Sequence, residues 1–344
     1  MTCLVMVCTI WSQVSADRLS AHFPPSCLHV IVFMRRLPWF TYSVPHPPDV
    51  RIKCAYQQRT IRAFVPALLY NRNSFGIWPE ELLKFMKKIL PFFILAYTIT
   101  WGFWILMVMA NPQIKYFHLL GSWGPSLAAI ILTYRSEGWM GLRTWWGNIF
   151  HIASTRWLVA AAVSPFILYY GALYFSRFIL SEQVIISSTF HSTEFAELGM
   201  LSVLTSIMFY GFGEQIGWRG YALPKLIENG YNNITASLVL SVFWAIWHGP
   251  LFFYHFSHYS EMSFALVMGW YFSLLLSSFL LTWIYNSSGK SVATVALFHG
   301  LIDVIVLMPT LNGTSAMIII NIVLMLAGGI TLLTGSKLSS GKQT

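Results

Sequence analysis

Long apolar runs recur along the chain after residue 85, with polar residues gathered between them. Windows of this kind cover residues 89–110, 116–134, 157–180, 196–217, 232–255, 262–285, 289–309 and 314–334. A helix rising 1.5 Å per residue needs about 20 residues to cross some 30 Å of hydrocarbon, and each window is close to that length. The pattern predicts an all-α fold, a polytopic membrane helix bundle of about eight transmembrane helices. The second and seventh windows carry Gly, Ser and His among their apolar residues, and small residues of this kind suit close helix packing. Residues 135–156 are too polar to span. They hold Arg135, Arg143 and Arg156 with Trp139, Trp145 and Trp146, and predict an interfacial helix or a loop.

The first 85 residues follow a different pattern. All four cysteines lie there, Cys3, Cys8, Cys27 and Cys54, together with Pro24, Pro25, Pro47 and Pro48. The apolar stretch 28–34 is cut short by Arg35 and Arg36, and residues 1–11 lack the basic start of a signal peptide. At Met86 the pattern changes. Met86-Lys87-Lys88 leads directly into the first long apolar run, as an inner-membrane protein commonly begins. The expected organisation is an N-terminal extension, 1–85, read as an over-extended gene model or a poorly ordered segment. A membrane domain, 86–335, and a cytoplasmic tail, 336–344, follow it.

Composition changes the picture in one respect. Hydrophobic residues make up 56% of the 344 and charged residues only 10%, far below the quarter or so of a soluble domain. Lipid explains the shortage, since a charge at the bilayer centre costs several kcal/mol. The formal charge of +9 then reflects cytoplasmic loops and carries no implication of nucleic acid; membrane lipid is the expected surrounding. With the Met86 end inside, Lys87, Lys88, Arg135, Arg143, Arg156, Arg219, Lys225, Lys290, Lys337 and Lys342 all fall on inside segments. Only Lys115 and Arg177 fall outside, where Glu182, Glu194 and Glu197 also lie. The expectation is an integral, multi-pass protein of a bacterial inner membrane with both termini cytoplasmic.

Three windows nevertheless contain residues that lipid rejects. One ends in Gly213-Glu214-Gln215-Ile216-Gly217-Trp218-Arg219-Gly220, another holds Trp244-Ala245-Ile246-Trp247-His248, and a third holds His299-Gly300-Leu301-Ile302-Asp303. His299 and Asp303 are four apart and share a helix face, so Asp303 can accept from one imidazole nitrogen and leave the other for chemistry. Gln215 and Arg219 share a face in the same way, and Arg219 is placed to reach Glu214 as a counter-ion. Each feature has a plain structural explanation. A lone membrane histidine is usually a packing residue, Arg219 alone can anchor a helix end, and His299 with Asp303 can be interhelical glue. His118, His151, His191, His255 and His258 fall at span ends or loops and are set aside. Glu, His and a His/Asp pair on three different helices are harder to explain by packing alone.

These residues resemble the CAAX protease and bacteriocin-processing family of intramembrane endopeptidases. That family carries Glu-Glu followed by Arg, then Phe-x-x-x-His, then His-x-x-x-Asn or His-x-x-x-Asp. Here the motifs are Glu214-Gln215 with Arg219, Trp244 through His248, and His299 through Asp303. The resemblance covers roughly 86–335 and departs from the pattern twice: Gln215 replaces the second glutamate, and Trp244 replaces Phe while keeping aromatic character. It implies a peptidase in which Glu214, helped by His248, activates water and His299, oriented by Asp303, donates to the oxyanion. Gln215, Arg219 and Trp244 support that site. The substrate implied is a peptide or protein, prenylated in the family's eukaryotic branch. If a divalent metal such as zinc takes part, Glu214, His248 and His299 are the residues to hold it; the set is poor in ligands for a closed zinc site. A second reading is a catalytically idle membrane protein with an immunity (bacteriocin self-protection) or scaffolding role.

A chain beginning at Met86 is expected to insert like the full one. It has no native cysteine, so a cysteine placed at Ser187 should label only from outside and one at Ser339 only from inside. The reverse pattern at either site would overturn the topology.

Overall fold

A computed structural model of the protein describes residues 87–109, 116–186, 190–253 and 262–334, all within one compact unit, Arg72–Thr344. Residues 1–86, and with them the expected extension and start, lie outside the described part, as does the tail. The described residues form helices and connecting turns without a strand, as the apolar windows predict. In chain order the helices are α1 (Leu90–Met109), α2 (Tyr116–Ser122), α3 (Gly124–Ile149), α4 (Thr155–Phe178), α5 (residues 201–228), α6 (Asn233–Trp247), α7 (Phe264–Ser287), α8 (Val292–Val306) and α9 (Ser315–Leu333). A short 3-10 turn, Gly249–Phe253, continues α6.

Five segments are long and apolar enough to cross a membrane: Leu90–Met109, Thr155–Phe178, Asn233–Phe253, Phe264–Ser287 and Ser315–Leu333. Their outward faces carry exposed Ile94, Leu106, Ile167, Leu266, Ile318 and Leu326, residues that belong in lipid rather than water. The protein is an integral, multi-pass membrane protein. The other three windows are helical but differ from simple spans. The second is split between α2 and α3, the latter opening on Gly124-Pro125, with Pro at its first turn where the missing N–H costs nothing. The seventh is α8, only 15 residues long. The fourth runs on well past residue 217, to Glu228.

That extension corrects one reading. Arg219 was placed on an inside segment, yet it sits mid-helix in α5 and is fully buried. It belongs to the interior of the bundle and not to a loop charge pattern. The polar stretch after residue 134 is also resolved between its two alternatives. It is helix: α3 kinks at Gly138, whose φ of 68° and ψ of −167° no ordinary side chain accepts readily, and then continues to Ile149. Past the kink, Trp139 and Met140 are exposed, while Trp145 turns inward and its Nε1–H donates to the Gly220 carbonyl at 2.9 Å.

Helix starts follow local chemistry. Asn232, Ser263, Ser291 and Thr314 each stand just before a helix in extended geometry and accept from the backbone N–H three residues on. The loop between α4 and α5 uses a carboxylate similarly. Glu182 accepts from the Ser315 N–H at the start of α9, at 3.2 and 3.1 Å, where the helix end carries partial positive charge.

The central helix α5 is not regular. Two π-helical stretches, Ile207–Phe212 and Trp218–Ala222, flank the α-helical turn Gly213–Gly217. The first packs directly against α8, and the approach is as close as backbone allows. A Cβ on Gly211 would stand 2.3 Å from the Ala296 carbonyl oxygen, and one on Gly300 would stand 2.5 Å from the Ile207 Cα. Replacing Gly300 with Ala should therefore force the helices apart and cost about 1–3 kcal/mol, the usual range for overpacking. Thermal unfolding of the purified protein in detergent checks this; an unchanged melting temperature would mean the contact is looser than described.

Candidate active site

The three motif segments meet around one side chain, Trp244, on the last turn of α6. Its indole Nε1–H donates to Glu214 Oε2 at 2.8 Å. Its ring lies 5.4 Å from the His299 ring and 5.8 Å from the His248 ring, centroid to centroid. The Arg219 guanidinium stands over its face, 5.1 Å from the centroid. Glu214, Gln215, Arg219, Trp244, His248 and His299 are all buried, and Asp303 is partly buried.

Each residue is held by its own element. Glu214 and Gln215 open the short α-helical turn between the two π stretches of α5. His248 caps the C-terminus of α6, and its Nδ1–H donates back to the Trp244 carbonyl at 2.8 Å. That bond consumes Nδ1 and leaves Nε2 as the nitrogen with a free lone pair. The ring is boxed by indoles: Trp247 at 4.7 Å, Trp270 at 5.0 Å and Trp104 at 6.3 Å. His299 lies midway along α8. Its Nδ1 is 2.9 Å from Gln215 Nε2, and its Nε2 is 3.5 Å from Asp303 Oδ2.

Three details differ from the sequence reading. Arg219 does not bond to Glu214. It donates from one terminal nitrogen to Gln215 Oε1 at 2.9 Å and from the other to the Ser278 hydroxyl at 3.0 Å and carbonyl at 3.3 Å. Arg219 is five positions from Glu214, about 140° round a helix, but four from Gln215, so its guanidinium faces Gln215 and reaches α7. His299 does not keep one nitrogen idle either, since Gln215 takes the nitrogen that Asp303 leaves. Trp244 does more than preserve an aromatic ring, because its N–H contacts the carboxylate directly.

A neighbouring polar cluster was missed. His118 Nδ1 hydrogen-bonds to Glu194 Oε1, and the Tyr210 hydroxyl donates to Glu194 Oε2 at 2.9 Å and lies 3.1 Å from the same His118 nitrogen. The cluster ties α2 and the loop that holds Glu194 to α5, one turn before Glu214. Trp104 connects it to the site, lying 5.2 Å from the His118 ring and 4.5 Å from Trp247. Its members are separated by up to 92 positions in sequence, and no helical spacing joins them.

A metal fits this arrangement poorly. Among the described residues no group of three or more His, Cys, Asp or Glu side chains is disposed to hold one. The donor set explains why: the Nδ1 atoms of both histidines are committed to protein partners, and the Nε2 of His299 faces Asp303 rather than Glu214 or His248. A cavity lies elsewhere in the bundle. It holds about 460 Å³ and is lined by Phe166, Phe190, Leu204, Leu301 and Ile305 among others. Leu301 stands two positions from His299, roughly 200° round the helix, so this cavity opens on the far face of α8.

The fold and this constellation define a multi-pass membrane protein with a polar site inside its helix bundle. Residues 196–305, which hold all three motifs, match the family model described as type II CAAX prenyl endopeptidase Rce1-like. A segment of 115 residues is 31% identical to "CAAX prenyl protease 2" of Methanococcus maripaludis, covering 33% of this chain and 40% of the relative. The chain thus spans about two fifths of that curated relative's length. Both findings support the CAAX protease family, the one that the motifs resemble.

Replacing Trp244 with Phe should retain the ring contacts and lose only the N–H to Glu214. Leaving a buried carboxylate one donor short should cost about 1–3 kcal/mol. Unfolding in detergent measures it; parity with the parent protein would show that the bond contributes nothing net.

Proposed function

We propose that the protein is an intramembrane endopeptidase of the CAAX-protease kind, hydrolysing a peptide bond with water activated by Glu214 and His248. The observation that carries the reading is the meeting of Glu214, His248 and His299 around Trp244 inside an apolar bundle. Peptide hydrolysis needs a base for water, a way to return the proton to the leaving amine, and a donor for the oxyanion. Glu214 takes a proton from water as the water oxygen bonds to the scissile carbonyl carbon. His248 holds that water through its free Nε2. His299 turns its Nε2–H, which stands 3.5 Å from Asp303 Oδ2, to the carbonyl oxygen as that oxygen gains negative charge, and Gln215 holds the ring through Nδ1. When the C–N bond breaks, the proton held by Glu214 passes to the amine nitrogen.

The name of the curated relative supports a substrate ending in a prenylated CAAX sequence, whose lipid would keep it at the membrane. The protein would work in the inner membrane of a cell with both termini in the cytoplasm. The water route as written uses protein groups alone. Should activity vanish with a chelator and return with zinc, the peptidase assignment would stand and the metal-free route would fall.

One observation favours the second reading, an idle protein with an immunity or scaffolding role. Arg219, Gln215, Ser278 and His299 form a closed bonded chain linking α5, α7 and α8, which is also what a purely structural network provides.

Glu214→Gln separates the two. It keeps size and a hydrogen-bonding group but removes the base. The purified variant should remain folded and cleave membrane-tethered peptides, prenylated and unprenylated, about 10²–10⁴ times more slowly. A variant that retains full biological effect would sink the peptidase reading in favour of the scaffold.

A further inference from the structure

The bonding chain from Arg219 to His299 determines more than packing. Arg219 has only donors, so Gln215 Oε1 must be the atom that meets it at 2.9 Å. The amide orientation of Gln215 is thereby fixed, and its Nε2 is the atom that faces His299 Nδ1 at 2.9 Å. An amide nitrogen can only donate. His299 Nδ1 must therefore accept, and a neutral imidazole that accepts at Nδ1 carries its proton on Nε2. On the other side of the ring Nε2 stands 3.5 Å from Asp303 Oδ2, within ion-pair reach though without hydrogen-bond geometry, and an oxygen there can accept that proton. Both flanks of the ring thus agree. The ring also has a backbone hydrogen bond to Tyr210, whose carbonyl can only accept and so calls on the same single N–H, and Arg219, His248 and Asp303 are the charged or titratable groups that act on it.

We propose that Gln215 is a positioning residue that fixes His299 as the neutral Nε2–H tautomer, and that Gln215 and Asp303 form a matched donor–acceptor pair around its ring. Under the peptidase reading, on which the functional part of this rests, Nε2–H is then the proton offered to the oxyanion. The departure of Gln215 from the Glu-Glu motif changes the polarity of the site and does not simply delete a carboxylate. A glutamate at 215 is acceptor-only when ionised. It would still receive Arg219 but would require His299 to donate from Nδ1. The ring would then turn a bare lone pair towards the Asp303 carboxylate, or carry a second proton. An asparagine at 303 would relieve that conflict, because its amide can donate to Nε2.

The test uses the whole protein in detergent micelles with 15N-labelled histidine, the His299 signals being identified by their loss in His299→Asn. The parent protein should show a protonated Nε2 and an unprotonated, hydrogen-bonded Nδ1. Gln215→Glu should protonate Nδ1 and lower the cleavage rate by about tenfold to a hundredfold, the scale of a misoriented catalytic group. The double variant Gln215→Glu with Asp303→Asn should keep Nδ1 protonated, release the proton from Nε2 and regain stability over the single variant. The parent spectrum decides the matter even if Gln215→Glu fails to fold: His299 protonated at Nδ1 in the parent overturns the proposal. So does an unprotonated Nδ1 in a folded Gln215→Glu. If no peptidase activity is found at all but the spectra come out as stated, the tautomer assignment holds and only the peptidase reading fails.

Discussion

The polar interior of this bundle depends on how closely α8 can approach α5. In lipid no hydrophobic force drives helices together, so association rests on van der Waals contact and interhelical hydrogen bonds. Gly211 and Gly300 remove the side chains that would hold the two backbones apart, and Ala296 and Ile207 fill the space on the opposite helix in each case. Only with the axes this close can the Gln215 amide reach the His299 ring across the interface. Gln215 in turn gives Arg219 an acceptor, and Ser278 on α7 gives it a second and third. A guanidinium with no exposed surface cannot fall back on water, so each of these acceptors is a condition of the fold as well as a feature of the site. The same low-dielectric surroundings strengthen every bond in the chain.

Much of this was legible in the sequence. Apolar run length reports the solvent directly, which is why the eight windows all fall on helix and why the stretch after residue 134 stands out from them. Expensive residues also announce themselves: Glu214, Arg219, His248 and His299 were visible because lipid penalises each. The i,i+4 spacing correctly put Gln215 beside Arg219 and His299 beside Asp303. Boundaries were less visible. Windows defined by hydropathy stop at a charge, so the fourth stopped near Arg219, although a buried and well-bonded arginine does not end a helix.

Partners across helices were not legible, because spacing along one helix says nothing about which faces meet. The two π stretches shift the register of α5 on either side of Glu214, and a register computed at 3.6 residues per turn cannot anticipate that. Glu214 and Arg219 are five positions apart, about 140° round a helix, and take different partners. The His118, Glu194 and Tyr210 cluster was hidden for a related reason. Its three residues come from a helix, a loop and another helix, and each alone has an ordinary place near a span end. A carboxylate on a loop predicted to lie outside reads as a solvated charge until the fold folds it back onto α2 and α5.

A buried carboxyl group and a buried guanidinium share this site without a direct hydrogen bond. Trp244 separates them and serves both. An indole presents a negative face and a positive edge, and the N–H is the most positive point on that edge. The Arg219 guanidinium lies over the face and the Glu214 carboxylate sits at the N–H, so each charge meets the part of the ring that complements it. A phenylalanine could carry the cation on its face but has no donor for the carboxylate. The replacement of Phe by Trp at this position and the replacement of Glu by Gln at 215 therefore act on the same problem. Gln215 receives Arg219 without bringing a second charge, and Trp244 gives Glu214 the hydrogen bond that the absent ion pair does not. Glu214 keeps one oxygen engaged by Trp244 and makes no hydrogen bond to Arg219. Under the proposed peptidase reading, that arrangement suits a base which must accept a proton rather than neutralise a neighbour.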